Sequence, residues 1–258
     1  MAPARAGRRR EPAVLYELVD DGRVAVVTLN RPERSNAYDV AMRDALYAAL
    51  TAVRDDPGVR ALVLCGNGPA FSTGGDVAEF GSAPSPIRAR EVRWLRDVWG
   101  TLWALPAISI AAVHGYAVGG GFEMALLCDQ CIAATDARFA LPETGLGMIP
   151  GVAGTQTLPR LVGQGRAMHY ALTGAWLDAP EARACGLVAR VVPRRALLPT
   201  ALAEARAVAR LAPGVAARLK RAINDGAELA LARGLALERT LAASSGLRTR
   251  VARATESS

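Results

Sequence analysis

Apolar and polar positions near the start of the chain alternate first with a strand period and then with a helix period. Residues 13–30, "AVLYELVDDGRVAVVTLN", predict two strands that turn at Asp21-Gly22, because an Asp-Gly pair between apolar runs is a strong hairpin signal. Residues 37–56 carry apolar side chains at helical spacing, and Asn36 is the candidate N-cap of that helix.

Two later apolar runs predict buried strands, "VRALVLCG" at 59–66 and "AISIAAVHG" at 107–115. A strand-like stretch also covers 130–141, "QCIAATDARFAL". Strands that alternate with helices in this way indicate an α/β layered fold.

From residue 151 onward the pattern is helical, except for a short strand within "GLVARVVPR" at 186–194. We therefore expect a basic disordered tail at 1–12, an α/β core at 13–195 and a helical region at 196–258. A helical end on an α/β core serves either oligomer packing or cover for the core, and the pattern leaves both open.

Composition restricts the class of protein. Of the 258 residues 51% are hydrophobic and 21% are charged, as is usual for soluble globular proteins, and no apolar run reaches the roughly 20 residues of a membrane span. The first residues lack the apolar segment of a secretory signal, so we expect a cytoplasmic protein. The net charge of +7 favours an anionic partner, either a phosphorylated cofactor or nucleic acid. The sequence has no RNP-type aromatic motif and no lysine-rich stripe, so nucleic acid is the less favoured partner.

Histidine and cysteine offer little catalytic potential. Cys128 and Cys131 have CxxC spacing, but no second Cys or His pair completes a zinc site, so we predict no metal. His114 follows a predicted strand, where a structural hydrogen bond is favoured over a catalytic role because no Ser-His-Asp arrangement surrounds it.

Two glycine-rich stretches each lead from a strand towards a predicted helix: "FSTGGDVAEF" at 71–80 and "GYAVGGGFEM" at 115–124. The N-terminus of a helix presents free N–H groups, and glycine lets a ligand approach them. Two such turns aimed at one point would form an oxyanion hole. The alternative, that these glycines serve only tight turns, stays open.

Two glutamates follow helix starts. Glu123 lies in the first turn of an otherwise apolar helix, and Pro142 at a first helical position places Glu143 in a first turn as well. Acids in such positions often interact only with the helix dipole. Two carboxylates that converge on a water molecule form a general acid/base pair, but spacing does not show whether these two meet.

In these segments the chain resembles the enoyl-CoA hydratase/isomerase (crotonase) superfamily over roughly residues 14–240. The matching stretches occur in family order: "VAVVTLNRPERSNAYD", "FSTGGDVAEF", "HGYAVGGGFEMALLCD" and "ARFALPETGLGMIPGVAGTQTLPRLVG". The resemblance implies an α/β spiral of ββα turns with a helical C-terminal region. It also implies a homotrimer or homohexamer with those helices at the interface.

The resemblance further implies an active site for an acyl-CoA thioester. The N–H groups of Gly75 and Gly120 would hold the thioester oxygen, Glu143 would be the main acid/base, Glu123 would orient water, and Gly151 would lie beside that water. Retention of both glutamates favours hydration of a 2-enoyl-CoA to a 3-hydroxyacyl-CoA. The alternatives are an isomerase, another enolate-forming lyase or, less favoured, an RNA-binding relative.

Coenzyme A is part of the substrate in that family, so no separate cofactor is expected. By resemblance, Arg34 would lie near the CoA phosphates and the chain around Phe71 would face the adenine. The family lysine has no counterpart at Ala78, and the usual C-terminal pattern is missing, with Arg248 and Arg250 as candidate substitutes.

Three tryptophans lie in the segment that varies within the family. They either line an acyl tunnel or form a core-facing helix stripe, and the stripe is favoured for at least two of them. They are Trp94, Trp99 and Trp103.

Overall fold

The structure, a computed structural model, describes residues 11–81, 85, 87 and 95–243. Its central sheet has six strands, of which the first pair is antiparallel and the others are parallel. In spatial order they are β1 (Val14–Val19), β2 (Val24–Leu29), β3 (Ala61–Gly66), β4 (Ile108–Val113), β6 (Gln130–Ala134) and β9 (Arg190–Val192). A smaller sheet contains β5 (Tyr116–Val118), β7 (Arg138–Ala140) and β8 (Leu177–Asp178).

The predicted hairpin is present with a longer loop. Val19 pairs with Val24, so four residues connect the strands instead of two. Asp20, Asp21 and Gly22 have φ angles of 56°, 57° and 77°. Aspartate tolerates this left-handed region better than most residues, and glycine enters it freely.

The helices of the described chain lie mostly between or after these strands. They are α1 (Val40–Asp55), α2 (Val98–Trp103), α3 (Gly120–Leu127), α4 (Gly154–Val162), α5 (Gln164–Thr173), α6 (Ala179–Ala184), α7 (Arg194–Ala209), α8 (Val215–Ala227) and α9 (Leu231–Ala243). No helix among the described residues combines the length and the apolar character needed to cross a membrane.

The N-cap prediction for α1 is wrong. Asp39 caps this helix, with Oδ1 accepting a 2.8 Å hydrogen bond from the Met42 N–H. Asn36 is fully buried, and its side chain instead binds three backbone groups that lie further away: it accepts from the Arg31 N–H and donates to the carbonyls of Asn67 and Ala70.

The two faces of the central sheet are covered differently. Alternate residues of each strand point to opposite faces. One face carries the large core that includes α1, α3 and α4. The other face packs against α7, whose buried residues are mostly alanine and allow a close approach. The expected domain boundary at 195/196 therefore falls inside a helix that covers the core.

Among the described residues, no apolar side chain of the last two helices is fully buried, and an ion pair links α8 to the core. Lys220, the only lysine in the sequence, places Nζ 2.8 Å from Asp129 Oδ2 and also donates to the Ala107 carbonyl. The Lys220 side chain is 8% exposed.

Four short segments run parallel, side by side, and we call them the four-segment row: residues 36–38, 72–75, 116–118 (β5) and 138–140 (β7). Backbone pairing joins each to the next, through Tyr38 with Gly75, Ser72 with Ala117, and Val118 with Ala140. Because parallel segments end at the same edge, the residues that end or follow them are brought together although they are far apart in sequence.

Candidate active site

A cavity of about 1080 Å³ opens where the four-segment row ends. Its lining includes five residues that the sequence predicted for the site, from four different parts of the chain. They are Gly75, Gly120, Glu123, Glu143 and Gly151. Glu123 and Glu143, whose spacing in sequence did not show whether they meet, therefore line the same cavity.

Glu123 is almost completely buried in α3, and its carboxylate is bound by the start of another helix. Oε1 accepts hydrogen bonds from the N–H groups of Val152, Ala153 and Gly154 at 3.0, 2.8 and 2.7 Å. The first N–H groups of a helix have no partner within the helix, and the helix dipole favours an anion there. The buried acid is therefore compensated by α4, which the sequence pattern did not reveal.

Glu143 lies in a single 3-10 turn, Glu143–Leu146, which follows β7 and Pro142. Its Oε2 is buried, and no group of the described residues forms a hydrogen bond to it. Burial raises the pKa of Glu143 above its ordinary value, a backbone hydrogen bond offsets part of this rise, and the negative charge of Glu123 adds to it. This carboxyl is thus closer to neutrality than an exposed glutamate, as a proton-transferring group requires.

The two glycine turns lie against each other at the cavity. A Cβ on Gly74 would lie 3.1 Å from the Gly120 nitrogen, and a Cβ on Gly119 would lie 2.8 Å from Glu143 Oε1. Gly74 and Gly119 also have positive φ angles of 87° and 52°. Gly120 is the first residue of α3, where the N–H has no acceptor within the helix. The two turns are therefore packed too closely, against each other and against Glu143, to accept a side chain at Gly74 or Gly119.

An ion cluster that sequence reasoning missed holds the Gly75 loop against the start of α1. Arg31 is buried, its Nη1 donates to the Ala37 carbonyl at 2.6 Å, and its Nη2 lies 3.1 Å from Asp39 and 3.3 Å from Asp76. The sequence shows only that Arg31 precedes a proline, and an Arg-Pro pair is too common in loops to indicate an ion cluster.

Tyr38 is a second residue that sequence reasoning did not single out. Its side chain lines the cavity, and its ring packs on Trp99 with centroids 5.3 Å apart. A Cβ on Gly120 would collide with the phenolic oxygen, so a larger residue at this position would have to displace the tyrosine ring.

The expected CoA contacts lie apart from these groups. Arg34 is exposed on the 3-10 turn Pro32–Arg34 and is not part of the cavity lining. Phe71 is fully buried in the core and is not part of the cavity lining, so the expected contact of this residue with a ligand is wrong, and only its neighbours in the chain can provide one. Arg248 and Arg250 lie outside the described residues.

Two of the three tryptophans line the cavity. Trp99 is partly buried against the core, and Trp103 is 47% exposed. Both interpretations apply to Trp99, which packs on the core and lines the cavity, whereas Trp94 lies outside the described residues.

His114 and the CxxC cysteines lie outside the cavity lining. His114 Nε2 is 3.1 Å from the Gly68 carbonyl oxygen, in keeping with the structural alternative. Burial raises the pKa of Cys128, and it raises the pKa of Cys131 to about 12. No group of three metal-ligating side chains occurs among the described residues.

The chain is similar to known proteins over most of its length. Residues 20–253 match the family model described as enoyl-CoA hydratase/isomerase. The chain is 40% identical over 221 residues to a probable enoyl-CoA hydratase of Mycobacterium tuberculosis, covering 86% of this chain and 85% of that protein. It is 39% identical over 219 residues to the 2,3-dehydroadipyl-CoA hydratase of Escherichia coli, covering 85% of each.

The fold agrees as well. The crystal structure of an enoyl-CoA hydratase from Mycobacterium smegmatis matches with a TM-score of 0.85 at 33% identity and covers 92% of each chain. The α/β, crotonase-like architecture expected from the sequence is therefore confirmed. From its motifs, its fold and these relatives, the chain belongs to the enoyl-CoA hydratase/isomerase family.

Proposed function

We propose that this protein hydrates a 2-enoyl-CoA thioester to a 3-hydroxyacyl-CoA. The observation that carries the proposal is the pair of glutamates on one cavity, Glu123 with its charge compensated and Glu143 with a bare buried oxygen. A water molecule between two such carboxylates can be oriented by one and deprotonated by the other. The names of the relatives, several of which are enoyl-CoA hydratases, support the same reaction.

In this proposal the thioester carbonyl oxygen accepts hydrogen bonds from the Gly75 and Gly120 N–H groups. Water adds to Cβ of the double bond, and the electron pair of that bond moves toward the carbonyl to form an enolate. The two N–H groups stabilise the negative charge on the oxygen as it develops, which is where such donors lower a barrier most. A proton then reaches Cα, and the sum is one water added across the double bond.

In this proposal the two glutamates have different roles in activating water and transferring protons. Glu123, fixed by three N–H groups, orients the water, and Glu143 takes up and returns protons. Gly151 lines the same cavity and leaves space beside the water. Because the two carboxylates interact, their protonation steps belong to the pair and not to either residue alone.

The CoA moiety and the assembly complete the proposal. Arg34 and the backbone near Phe71 would contact the nucleotide part of CoA. The exposed apolar residues of α8 and α9 would pack in a homotrimer or homohexamer, since a chain in solution rarely leaves such a row uncovered. They are Leu219, Ile223, Leu231 and Leu235.

The test is a hydration assay with crotonyl-CoA and with enoyl-CoA thioesters of graded length and branching, followed by loss of the conjugated-thioester absorbance. We expect hydration of at least one member of this panel and no requirement for an added cofactor. Faster conversion of a 3-enoyl-CoA than hydration of its 2-enoyl isomer would replace the proposal with isomerisation. No reaction with any thioester, together with RNA retention on filters at physiological salt, would contradict the whole assignment.

A further inference from the structure

Tyr38 ends the first segment of the four-segment row, directly beside Gly75 in the second. The Tyr38 N–H donates to the Gly74 carbonyl at 2.8 Å, and the Asp76 N–H donates to the Tyr38 carbonyl at 2.9 Å. Tyr38 and the Gly75 turn therefore form one rigid backbone unit. The Tyr38 ring extends from this unit across the start of α3.

The phenolic oxygen lies near the first N–H of that helix. A Cβ sits about 2.5 Å from the nitrogen of its own residue. Since a Cβ on Gly120 would overlap the phenolic oxygen, this oxygen lies within about 5 Å of the Gly120 nitrogen. Two donors that each reach one shared oxygen at about 2.9 Å are separated by up to about 5.8 Å. The two groups can thus bind the same acceptor.

We propose that the Tyr38 hydroxyl is a third hydrogen-bond donor to the ligand oxygen that the Gly75 and Gly120 N–H groups bind. This rests on the proposed function in identifying that oxygen as the carbonyl of an enoyl thioester. The phenol donates while keeping its proton, so the reaction gains no further step. Donors to an oxygen that becomes charged strengthen as the charge develops, so the effect falls on the transition state.

The surroundings of Tyr38 hold the ring in place before any ligand arrives. The ring lies at 59° to Trp99, and the next residue, Asp39, is fixed twice, as the N-cap of α1 and in the ion pair with Arg31. A donor that is already positioned has no ordering cost during the reaction.

The first experiment measures carbonyl polarisation without turnover. Cinnamoyl-CoA is bound to the Glu143→Gln variant, and its absorbance maximum is compared with that on Glu143→Gln/Tyr38→Phe. A hydrogen bond to the carbonyl moves the maximum of this conjugated probe to longer wavelength, so we expect a smaller shift when the hydroxyl is absent. Each spectrum is recorded with folded protein in sufficient excess to bind all of the probe, so that the peak position reports the bound probe alone.

The second experiment measures rates in single variants. Tyr38→Phe keeps the ring and its contact with Trp99, and we expect kcat to fall about 10- to 100-fold at every acyl length, with KM changed little. Tyr116→Phe is the matched control, since Tyr116 also packs on a tryptophan, Trp176, with centroids 5.8 Å apart, but lies outside the cavity lining. We expect its kcat to equal that of the wild type.

Three results would overturn the proposal: an unchanged probe maximum, a kcat within twofold of the wild type, or a loss confined to one acyl length, which would make Tyr38 a specificity residue. Failure of the proposed function gives a different pattern. In that case the wild type hydrates no thioester, while the probe maximum still reports whether Tyr38 polarises the carbonyl.

Discussion

The two glutamates of the cavity have the same side chain in opposite surroundings. Glu123 is held by three N–H groups at the start of α4 and is almost completely buried. Glu143 is half-buried on a one-turn 3-10 helix, with one oxygen that no described residue binds. One site therefore contains a carboxylate held by three N–H donors and another with a buried oxygen that no described residue binds.

This difference separates two tasks that residue type alone cannot separate. A group that must change protonation works best when neither form is strongly preferred, whereas a group that orients water needs a fixed geometry. The contrast also has a cost for folding, because an uncompensated carboxylate destabilises the structure that contains it.

Glu123→Ala leaves three N–H groups at a buried helix start without their acceptor. Removing one partner of a buried charged interaction costs about 3–5 kcal/mol, and we expect that loss in the free energy of unfolding, measured with urea. Glu17→Ala, on the exposed surface of β1, is the control and should change stability by less than about 0.5 kcal/mol. An equal effect of the two substitutions would show that α4 does not depend on Glu123.

Glu143→Gln removes the proposed proton-transferring group but keeps the shape of the side chain. We expect hydration kcat to fall at least about 100-fold while the urea midpoint is not lowered, because no hydrogen bond to Oε2 is lost. The enoyl-CoA assay and an unfolding curve on the same preparation check both halves. A variant that stays fully active would show that Glu143 is not the acid/base.

Gly119→Ala changes the space around Glu143 without touching its charge. The new Cβ would lie 2.8 Å from Glu143 Oε1 at a residue with φ of 52°, so we expect a loss of about 1–3 kcal/mol and a reduced kcat. Gly145→Ala, within the 3-10 turn of Glu143, is the matched control, because its Cβ would meet no atom within 4 Å. Equal stability and kcat in the two variants would contradict the close approach of Gly119 to Glu143.

The smallest effect is a pH dependence. The folded pKa of Glu143 is raised by burial, so the folded protein holds this proton more tightly than the unfolded chain, whose glutamates titrate near about 4.3. Below that pH the carboxyl is neutral in both states, and the stabilisation that the raised pKa gives the folded wild type is fully present. As the pH rises through the folded pKa, the wild type should lose stability relative to Glu143→Gln. Urea titrations from pH 4 to 8 measure the difference, and a constant difference would contradict the raised pKa.

Local patterns in the sequence were sufficient for several features of the site. Apolar runs gave the α/β order, and the glycines before "FEM" placed Glu123 in the first turn of a helix, as the structure has it. The hairpin was predicted correctly, although its loop is two residues longer. Each of these features depends on residues that are close in sequence.

The features that sequence reasoning missed depend on residues far apart in the chain. Asn36 was predicted as a helix cap, but its side chain binds the carbonyls of Asn67 and Ala70, more than 30 residues away. The N–H donors to Oε1 of Glu123 could not be found either, since they follow 29 to 31 residues later. Tyr38 was missed because a tyrosine before an N-cap has no functional signature until the row places it beside Gly75.

Because Lys220 is the only lysine, cleavage at this residue can measure how often the C-terminal helix α8 detaches from the core. A protease that cuts only after lysine has a single target in the whole sequence, and that target is covered while Lys220 remains paired with Asp129. Cleavage therefore requires α8 to leave the sheet, and its rate counts how often that occurs. The fragments would end at the same residue every time, so one band on a gel would follow the attachment of these helices in the intact protein.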